Sequence, residues 1–261
     1  MSPNPLRLAR GTTSTISSRA LREGELAQAT DTELEHVGDG ATLGGRTLAY
    51  RDEIIDFPIS DYSNSIQDAI NAAFTYGSGK VIVDRDVSIS TTVLLKNYVV
   101  VKIEPGVTVT WTGGSSPMFS SASDNVLLHA GIEGYGATLA MGANATKAVE
   151  VYGAWHCSFR GFEITGTLVT SIALDLRGDA SGGANQVGGR HCAYNQYADI
   201  LHAGVCGTFL RLYGTDANAG FITLNTFTNL GAENCQVRGI EFYGWCDHNE
   251  FTGLTRVAMY A

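Results

Sequence analysis

Two short patterns of polar and apolar residues recur along the chain from about residue 125 onward. In the first, Asn or Cys stands two positions before a large apolar residue; in the second, an alternating strand-like segment ends at glycine. The first pattern occurs at Asn125-Val-Leu127, Cys157-Ser-Phe159, Asn195-Gln-Tyr197, Asn225-Thr-Phe227 and Asn249-Glu-Phe251. The second occurs at Ala148-Val-Glu-Val-Tyr-Gly153, Ala173-Leu-Asp-Leu-Arg-Gly178, Phe209-Leu-Arg-Leu-Tyr-Gly214 and Gly239-Ile-Glu-Phe-Tyr-Gly244.

The spacing between the two patterns is constant on one side and variable on the other. Phe159, Tyr197 and Phe227 precede the next pattern-closing glycine by 19, 17 and 17 residues, whereas the glycines precede the next aromatic residue by 6, 19, 13 and 7 residues. A solenoid with rungs of about 24 residues and loops inserted at one corner produces this arithmetic, and a sandwich or barrel does not. The recurring Asn is then predicted to form a column of amides stacked between rungs, with no chemical role.

One helix is predicted upstream of the repeats, over residues 66–76, with Asn64 or Ser65 as its N-cap and Gly77 near its end. Its predicted apolar face consists of Ile66, Ala69, Ile70, Ala73 and Phe74. Residues 51–63 mix charge, Pro and turn formers, which predicts a linker.

The helix and the segments that follow it carry a resemblance to a known fold family. Ser65-Ile-Gln-Asp-Ala-Ile-Asn-Ala-Ala, then Gly79-Lys-Val-Ile-Val83 and Val87-Ser-Ile-Ser, resemble the start of pectate-lyase-like right-handed β-helices. The resemblance implies that the helix caps the open end of the solenoid. Such a cap is physically useful, because the backbone edge and the apolar lumen of the first rung would otherwise meet water.

The N-terminal segment, residues 6–50, alternates short apolar pairs with glycine turns, which predicts a small β-rich module. Its ordered elements Arg10-Gly-Thr12, Gly24-Glu-Leu26, Thr30-Asp-Thr32 and Gly38-Asp-Gly40 resemble the N-terminal module of bacteriophage tail fibres and tropism determinants. The resemblance implies a trimeric fibre base attached to the virion. His36 and the Leu43-Gly44-Gly45 turn depart from the family, where an aromatic residue is frequent, so the details of docking do not carry over.

Charge is distributed unevenly over this N-terminal segment. Residues 1–22 contain four arginines and no acid, whereas residues 23–61 contain ten acids against Arg46 and Arg51. The four arginines are Arg7, Arg10, Arg19 and Arg22. They are predicted to dock on an acidic surface of a virion protein, the alternative being a solvated terminus. Without interleaved aromatic residues they are a weak nucleic-acid signal, so we expect no nucleic-acid partner.

The composition excludes several classes of protein. With 31 glycines, only 16% charged residues and a net charge of −9, the chain is typical of a globular, turn-rich β protein rather than a disordered or collagenous one. No apolar run approaches a membrane span, so we expect no membrane insertion, and the start lacks the apolar core of a leader. The five cysteines form no C-x-x-C pair, which favours reduced, buried thiols and assembly in the host cytoplasm.

Candidate chemistry lies on the strands that close at glycine. If Val149, Leu174, Leu210 and Ile240 point inward, the next residues form an outward column of Glu150, Asp175, Arg211 and Glu241. A second outward column, two positions on, consists of Tyr152, Arg177, Tyr213 and Tyr243. Stacked acids are expected to raise the pKa of either Glu150 or Asp175.

These columns support two interpretations. Carboxyl groups about 5 Å apart suit a retaining glycosidase and a wider pair an inverting one, so Glu150, Asp175 and Glu241 are the predicted catalytic residues. Tyr152, Arg177, Arg211, Tyr213 and Tyr243, with Arg190 from the 177–196 insertion, are the predicted sugar-binding residues. The alternative is an ordinary solvated or trimer-facing column in which the arginines compensate the acids.

Two further clusters are weaker candidates. Asp247-His248-Asn249-Glu250 combines an acid, a base and an amide, but alternate residues face opposite ways, which favours a turn into the next rung. His191, Cys192, His202 and Cys206 match no common zinc spacing, so no metal site is predicted. No other motif implies a cofactor, and none is expected.

Together these patterns predict a mainly β protein: a small N-terminal β-rich module, then a right-handed parallel β-helix capped by one short helix. The predicted divisions are a virion-attachment module at 1–50, a linker at 51–63, the cap and first strands at 64–124, and β-helix rungs at 125–261. The chain stops within a rung, so we expect further sequence or a partner to cover that end.

The expected function is that of a phage tailspike. Its N-terminus would attach a homotrimer to phage tail or capsid-vertex proteins, and its β-helix would bind host surface polysaccharide, which places it in the virion tail. A polysaccharide depolymerase, either a hydrolase or a lyase, is the alternative. A cellular pectate-lyase-like enzyme is the third class considered, but it would predict a leader and calcium-binding acid clusters, and neither is seen in the sequence.

Overall fold

The computed structural model describes residues 8–11, 26–29, 35–37, 46–48, 55–121, 126–178, 191–214 and 220–259. The four short N-terminal segments and residues 255–259 are described as backbone alone. The chain divides into two compact units, Met1–Ile54 and Ile55–Ala261. In the described part of the chain, no helix is long and apolar enough to cross a membrane.

The first unit contains a small four-stranded sheet, as the glycine-turn pattern predicts. Its strands are β1 (Leu8–Gly11), β2 (Leu26–Ala29), β3 (Glu35–Val37) and β4 (Arg46–Leu48), in the order β1-β2-β3-β4. β1 and β2 are parallel, and the other two pairs are antiparallel. Arg10 lies in β1 opposite Gln28, whereas Arg7, Arg19 and Arg22 lie outside the described residues.

The described residues of the second unit form one α-helix, one short 3₁₀ helix and many short strands. The first of its elements are β5 (Asp56–Pro58), the 3₁₀ helix (Ile59–Tyr62), α1 (Ile66–Tyr76), β6 (Gly79–Val83), β7 (Val87–Ile89), β8 (Val93–Leu95), β9 (Val99–Ile103), β10 (Thr108–Trp111) and β11 (Pro117–Ser121). There follow β12 (Leu127–Leu128), β13 (Gly131–Ala140), β14 (Lys147–Tyr152), β15 (Ala154–Trp155), β16 (Ser158–Gly166), β17 (Ile172–Gly178), β18 (Cys192–Ala193), β19 (Gln196–Ala198) and β20 (Leu201–Gly204). The last are β21 (Cys206–Gly214), β22 (Ile222–Thr223), β23 (Thr226–Thr228), β24 (Gly231–Gly244), β25 (Cys246–Asp247), β26 (Glu250–Thr252) and β27 (Thr255–Met259).

These strands form a parallel β-helix, which confirms the predicted fold class. Equivalent strands of successive rungs pair in parallel with one another. Sheet A contains β5, β6, β9, the first part of β13 and of β16, β19, β23 and β26. Sheet B contains β7, β10, the later part of β13 and of β16, β20, the start of β24 and β27. Sheet C contains β8, β11, β14, β17, β21 and the end of β24, and a narrow corner sheet contains β12, β15, β18, β22 and β25.

The capping helix α1 has the predicted bounds. The Ser65 hydroxyl accepts a hydrogen bond from the Asp68 amide at 3.2 Å, and Gly77 ends the helix in the left-handed region at φ 111°. Ile66, Ala69, Ile70 and Ala73 are buried, as predicted. Phe74 is 46% exposed, so its predicted place on the apolar face is wrong. It lies at the edge of that stripe, where the Lys96 ammonium sits 4.8 Å from its ring centre.

The predicted linker at 51–63 needs a correction for its described part, residues 55–63. β5 pairs in parallel with β6, and Phe57 lies opposite Val81 in that pairing. Ile59 is fully buried. Charged and turn-forming residues concealed this first strand, because a single short strand carries too few positions to show alternation.

The aromatic residues of the first repeated pattern stack along sheet A, as a solenoid with one such pattern in each rung requires. The rings of Phe159 and Tyr197 are 5.2 Å apart, those of Tyr197 and Phe227 5.0 Å, and those of Phe227 and Phe251 4.6 Å. The rings are within 12° of parallel in all three pairs. The constant spacing in the sequence therefore arises because these residues occupy the same position, inside the lumen, in successive rungs.

The asparagines of the same pattern form the predicted amide column. Asn195 Nδ2 donates to Asn225 Oδ1 at 2.8 Å, and Asn225 Nδ2 donates to Asn249 Oδ1 at 2.9 Å. Each amide also binds a turn carbonyl, that of Cys192 in the case of Asn225. Asn125 lies outside the described residues, and the Cys157 backbone N–H donates to Asn195 Oδ1. The column thus satisfies buried turn backbone between rungs.

The cysteines are unpaired, and four of the five are buried, as the spacing predicts. Burial raises the pKa of Cys157 to about 11 and that of Cys192 to about 12. Cys206 and Cys235 occupy equivalent positions on β21 and β24, with their sulfur atoms 3.5 Å apart. Their burial makes them part of the solenoid's core.

A histidine occupies an otherwise apolar column of sheet B. His202 lies in register between Ile164 and Ala232 and is fully buried. Burial lowers the pKa of His202 from 6.5 to about 4, and neither ring nitrogen has a hydrogen-bond partner within the described residues. The imidazole is therefore neutral in the folded solenoid at neutral pH.

Replacing Asn225 by Ala should strongly destabilise the solenoid. The substitution strands the Asn195 amide and the Cys192 carbonyl in a buried place, so we expect a loss of at least about 2 kcal/mol in the free energy of unfolding. Urea unfolding followed by circular dichroism measures it. Asn71→Ala, which removes only a bond from Gln67 on the helix surface, is the control and should cost less than about 0.5 kcal/mol. Equal costs would contradict the structural role of the column.

His202 should make the solenoid lose stability as the pH falls. The unfolded chain takes up a proton near pH 6.5, whereas folded His202 stays neutral until about pH 4. Protonation therefore stabilises the unfolded state over that interval, and the free energy of unfolding falls. From pH 7 to pH 5 this one group should remove about 2 kcal/mol from the free energy of unfolding. His202→Leu abolishes that part of the dependence while leaving the contribution of the carboxyl groups, so the difference between the two chains isolates the histidine. Parallel pH profiles would refute the assignment.

Candidate functional site

The two predicted outward columns are present on sheet C. Glu150, Asp175, Arg211 and Glu241 occupy equivalent positions on β14, β17, β21 and β24. Tyr152, Arg177, Tyr213 and Tyr243 do so two positions further on. Arg190 lies outside the described residues. The repeat in the sequence thus predicts the register of this site correctly.

Glycines close the strands and set the tight return of the chain beside these columns. Gly178, Gly214 and Gly244 are in register. A Cβ atom on Gly214 would lie 2.3 Å from the carbonyl oxygen of Trp245, and one on Gly244, at φ 68°, would lie 1.8 Å from that of Gly214. Only glycine permits this approach of neighbouring rungs.

The column of Glu150, Asp175, Arg211 and Glu241, which we call the inner column, is more buried than the outward face of a solvent-exposed sheet would be. The Asp175 side chain is 0% exposed and that of Glu150 is 8% exposed, whereas those of Arg211 and Glu241 are 23% and 20% exposed. The expectation of solvated acids is therefore wrong for the first two residues. The reason is that long cationic side chains from the same and neighbouring rungs lie over them.

Asp175 is held by two cations. Arg211 donates from Nε to Oδ1 at 2.7 Å and from Nη2 to Oδ2 at 2.6 Å, which is a bidentate pair. Lys147 Nζ lies 2.8 Å from Oδ2. Burial alone would raise the pKa of Asp175, but the hydrogen bonds from Arg211 and the charge of Lys147 outweigh it, and the pKa is lowered.

Glu150 has its own set of donors. Its Oε1 atom is bound by Lys147 and accepts a hydrogen bond from the Tyr152 hydroxyl at 3.0 Å. Arg177 Nη1 lies 3.7 Å from the same oxygen. Ser120, one rung earlier, donates to Oε2 at 3.5 Å. Stacking is expected to raise the pKa of either Glu150 or Asp175. The pKa of Asp175 is instead lowered, because Arg211 and Lys147 both bind its carboxylate.

Lys147 is the residue of this site that the sequence analysis missed. It stands three positions before Glu150, and strand alternation puts such a residue on the opposite face. Lys147 is the first residue of β14, so its long side chain can turn over the strand end and reach both acids. The alternating pattern of a strand cannot predict that a side chain at its end bends round to the other face.

The second column, which we call the outer column, consists of Tyr152, Arg177, Tyr213 and Tyr243, and it combines a cation with aromatic rings. The Arg177 guanidinium lies 5.2 Å from the Tyr152 ring centre and 5.1 Å from that of Tyr213. It also donates from Nη1 to the Tyr152 hydroxyl at 3.0 Å. The rings of Tyr213 and Tyr243 stack 4.6 Å apart and nearly parallel, and Tyr243 is 56% exposed. These residues, with Arg211, form what we call the tyrosine–arginine face.

The geometry limits the chemistry that the carboxylates can perform. A general acid must hold a proton near neutral pH, whereas Asp175 has a lowered pKa and two cationic partners. Glu241, the third candidate, is paired with Arg238. Arg211 stands between Asp175 and Glu241 in the column. Catalytic roles for the three acids stay predictions, and each would require displacement of a cation.

The two weaker clusters behave as turns and core. His248 is in the left-handed region at φ 48°, and its Nδ1 atom lies 3.3 Å from Asp247 on an exposed corner. The His191 ring stacks on Phe221 with centres 3.8 Å apart, while His202 is in the buried column of sheet B. Within the described segments, no three His, Cys, Asp or Glu side chains come together in a way that could hold a metal ion.

Asp175 should matter more for stability than any exposed acid of the column. Asp175→Ala leaves Arg211 and Lys147 without their buried carboxylate, so we expect a loss of about 3–5 kcal/mol in the free energy of unfolding. Arg238→Ala, which breaks the exposed pair with Glu241, should cost less than about 1 kcal/mol. Urea unfolding compares the two. Comparable losses would mean that the buried network is not a structural element.

Comparison with known proteins identifies a similar fold and no family. No protein-family model matches the sequence, and no curated protein matches it significantly. Among solved structures, the chain is similar to a crystal structure from Parabacteroides merdae described as a "putative glycosyl hydrolase". The TM-score is 0.50 and the identity 12%, over 77% of this chain and 97% of the other. At that identity the likeness shows a common fold.

Proposed function

We propose that the β-helix binds a surface polysaccharide through the tyrosine–arginine face and that the protein's role is adhesive. The observation that carries the proposal is that sheet C has buried, ion-paired acids beneath an exposed layer of arginine and tyrosine side chains. The acids beneath are neutralised by Lys147 and Arg211, whereas Arg177 and the ring of Tyr243 remain accessible above them. Such a surface can bind without performing hydrolysis.

The residues of this face have the chemistry that sugars require. Guanidinium groups and tyrosine hydroxyls supply hydrogen bonds to sugar hydroxyls, and aromatic carbon packs against the apolar side of a pyranose ring. The contacts of Arg177 with Tyr152 and Tyr213 hold the guanidinium in place before a ligand arrives. A rigid scaffold lowers the entropic cost of binding, which favours recognition of a long, repeating ligand.

The virion role is the second part of the proposal and rests on residues 1–50. The motifs there resemble a tail-fibre base, and the described backbone of this segment forms a small four-stranded sheet. We propose that the module attaches a homotrimer to phage tail or capsid-vertex proteins, with Arg7, Arg10, Arg19 and Arg22 facing an acidic surface. The protein would then be a tailspike that contacts host surface polysaccharide.

Depolymerisation is the second candidate function. The description of the Parabacteroides merdae protein and the carboxylates on one face are the reasons to test it. Cleavage by hydrolysis or by β-elimination would use Glu150 or Glu241, since Asp175 is fully buried. The ion pairs of all three acids favour binding over cleavage.

Binding should depend on the exposed residues of the face. Tyr243→Ala and Arg177→Gln should each weaken binding of the purified chain to capsule or lipopolysaccharide about tenfold, as hot-spot aromatic and arginine residues do. Arg85→Gln, which alters an exposed Arg–Asp pair elsewhere, is the control and should bind as the parent chain does. Immobilised polysaccharide and a titration of protein give the affinities. Unchanged affinity in both variants would refute the role of this face.

The same samples separate adhesion from cleavage. Release of oligosaccharides, followed by new reducing ends or unsaturated products, should be absent if the function is adhesive. Release that disappears in Glu150→Gln or Glu241→Gln would establish the depolymerase instead. Asp175→Ala is a poor probe, because it removes a buried ion-pair partner and would abolish activity by unfolding the chain.

A further inference from the structure

Two buried thiols lie against each other in neighbouring rungs of the solenoid. Cys206 on β21 and Cys235 on β24 are in register, and their sulfur atoms are 3.5 Å apart. Both residues are fully buried. Residues opposite each other on adjacent strands have Cα atoms about 5 Å apart, within the range of about 4.4–6.8 Å that a disulfide bond spans. The pair can therefore be joined with little movement of the backbone.

The other three cysteines are arranged differently within the described residues. Cys192 and Cys246 both belong to the corner sheet, but Ile222 lies between them in register. Cys192 lies opposite Ala154 rather than Cys157. The sulfur atoms of Cys157 and Cys192 lie 3.4 Å and 3.5 Å from backbone carbonyl oxygens. Register thus singles out one pair among the five thiols.

The strands around this pair are irregular. Cys206 lies opposite Cys235, but Thr208 lies opposite Arg238, so β24 carries one extra residue there. The pairing of β24 with β27 also shifts just before Cys235, and Asn234 is in the left-handed region at φ 54°. Interrupted pairing lowers the free energy of local opening. A small reagent can therefore reach the buried sulfur atoms without unfolding of the whole chain.

The two thiols differ in their reactivity. The thiol of Cys206 donates a hydrogen bond to the sulfur atom of Cys235, which lowers the pKa of Cys235 although burial opposes this. The same hydrogen bond raises the pKa of Cys206. Since the thiolate is the nucleophile in disulfide exchange, Cys235 reacts first. Cys206 is then the second thiol, already in contact with it.

We propose that Cys206 and Cys235 form a disulfide bond between neighbouring rungs when the folded chain meets a small disulfide such as oxidised glutathione. The Cys235 thiolate attacks one sulfur atom of the reagent and displaces the other as a thiolate, which leaves a mixed disulfide. The sulfur atom of Cys206 then attacks that of Cys235 and displaces the second thiolate. Two protein thiols are oxidised, the reagent is reduced to two thiols, and these take up the two protons that the protein loses.

The bond would fix the register of the strands that carry the tyrosine–arginine face. Tyr213 and Tyr243 stack on the same two strands, beyond the extra residue of β24. A covalent link before that irregular point prevents the two strands from slipping past each other. It also joins residues 29 positions apart in the sequence, so it removes conformational freedom from the unfolded chain. The closed form is therefore expected to be the more stable one.

The test exposes the reduced, folded whole chain to mixtures of reduced and oxidised glutathione. As the oxidised share rises, the number of free thiols should fall from five to three, because two are consumed. Peptide mapping after alkylation should find Cys206 linked to Cys235. The oxidised chain should melt about 5–10 °C higher than the reduced chain, as expected for a loop and a domain of this size. A reducing agent should reverse both changes.

Two variants serve as matched controls. Cys235→Ser should keep its four remaining thiols in oxidised glutathione, whereas Cys246→Ser, which alters a thiol outside the pair, should still form the link. Thermal unfolding of the reduced variants checks that they are folded, and mapping of the parent chain decides the question if Cys235→Ser does not fold. Five free thiols at every glutathione ratio, a link between other cysteines or between two chains, or closure only in denaturant would overturn the proposal.

Discussion

In-register stacking of parallel strands is the constraint on which the rest of this structure depends. Each rung places its residues directly over the equivalent residues of the rung before, at the roughly 4.8 Å spacing of paired strands. A residue type that recurs at the same position of successive rungs therefore contacts another residue of the same type. For phenyl rings and for amides this is favourable, as the Phe159–Tyr197 and Asn195–Asn225 contacts show. For carboxylates it is not, because two unit charges roughly 5 Å apart repel by about 3 kcal/mol at an effective dielectric constant of about 20.

The ion network of sheet C follows from that conflict. Register places Glu150 beside Asp175, and the chain resolves the repulsion with Lys147 between them and with Arg211 on the next rung. Once the acids are neutralised, burying them becomes tolerable, and the side chains that cover them become the new surface. The groups of the tyrosine–arginine face thus lie over this ion network, and the contacts of Arg177 with Glu150 and Tyr152 help to fix their geometry.

Much of the fold and part of the site could be predicted from the sequence, since periodicity encodes register. The spacing of Phe159, Tyr197 and Phe227 predicts the column in the lumen, and the glycine-closed strands predict which residues flank Asp175. Burial of Asp175 could not be predicted, because it depends on how far Lys147 reaches around a strand end. The strand at residues 56–58 was concealed for a different reason: one strand has no period.

Departures from the repeat are where a solenoid acquires sites that stacking alone cannot build. A perfect column presents the same residue types at every rung and so offers a ligand no particular place to stop. The bulge after Glu133 breaks the register for a few residues, and Tyr135 leaves the sheet at that point only. Gly161 on the following rung accepts the ring because it has no side chain. Two rungs therefore depart from the regular repeat together at this place. Such a coupled departure costs regular pairing and packing on both rungs.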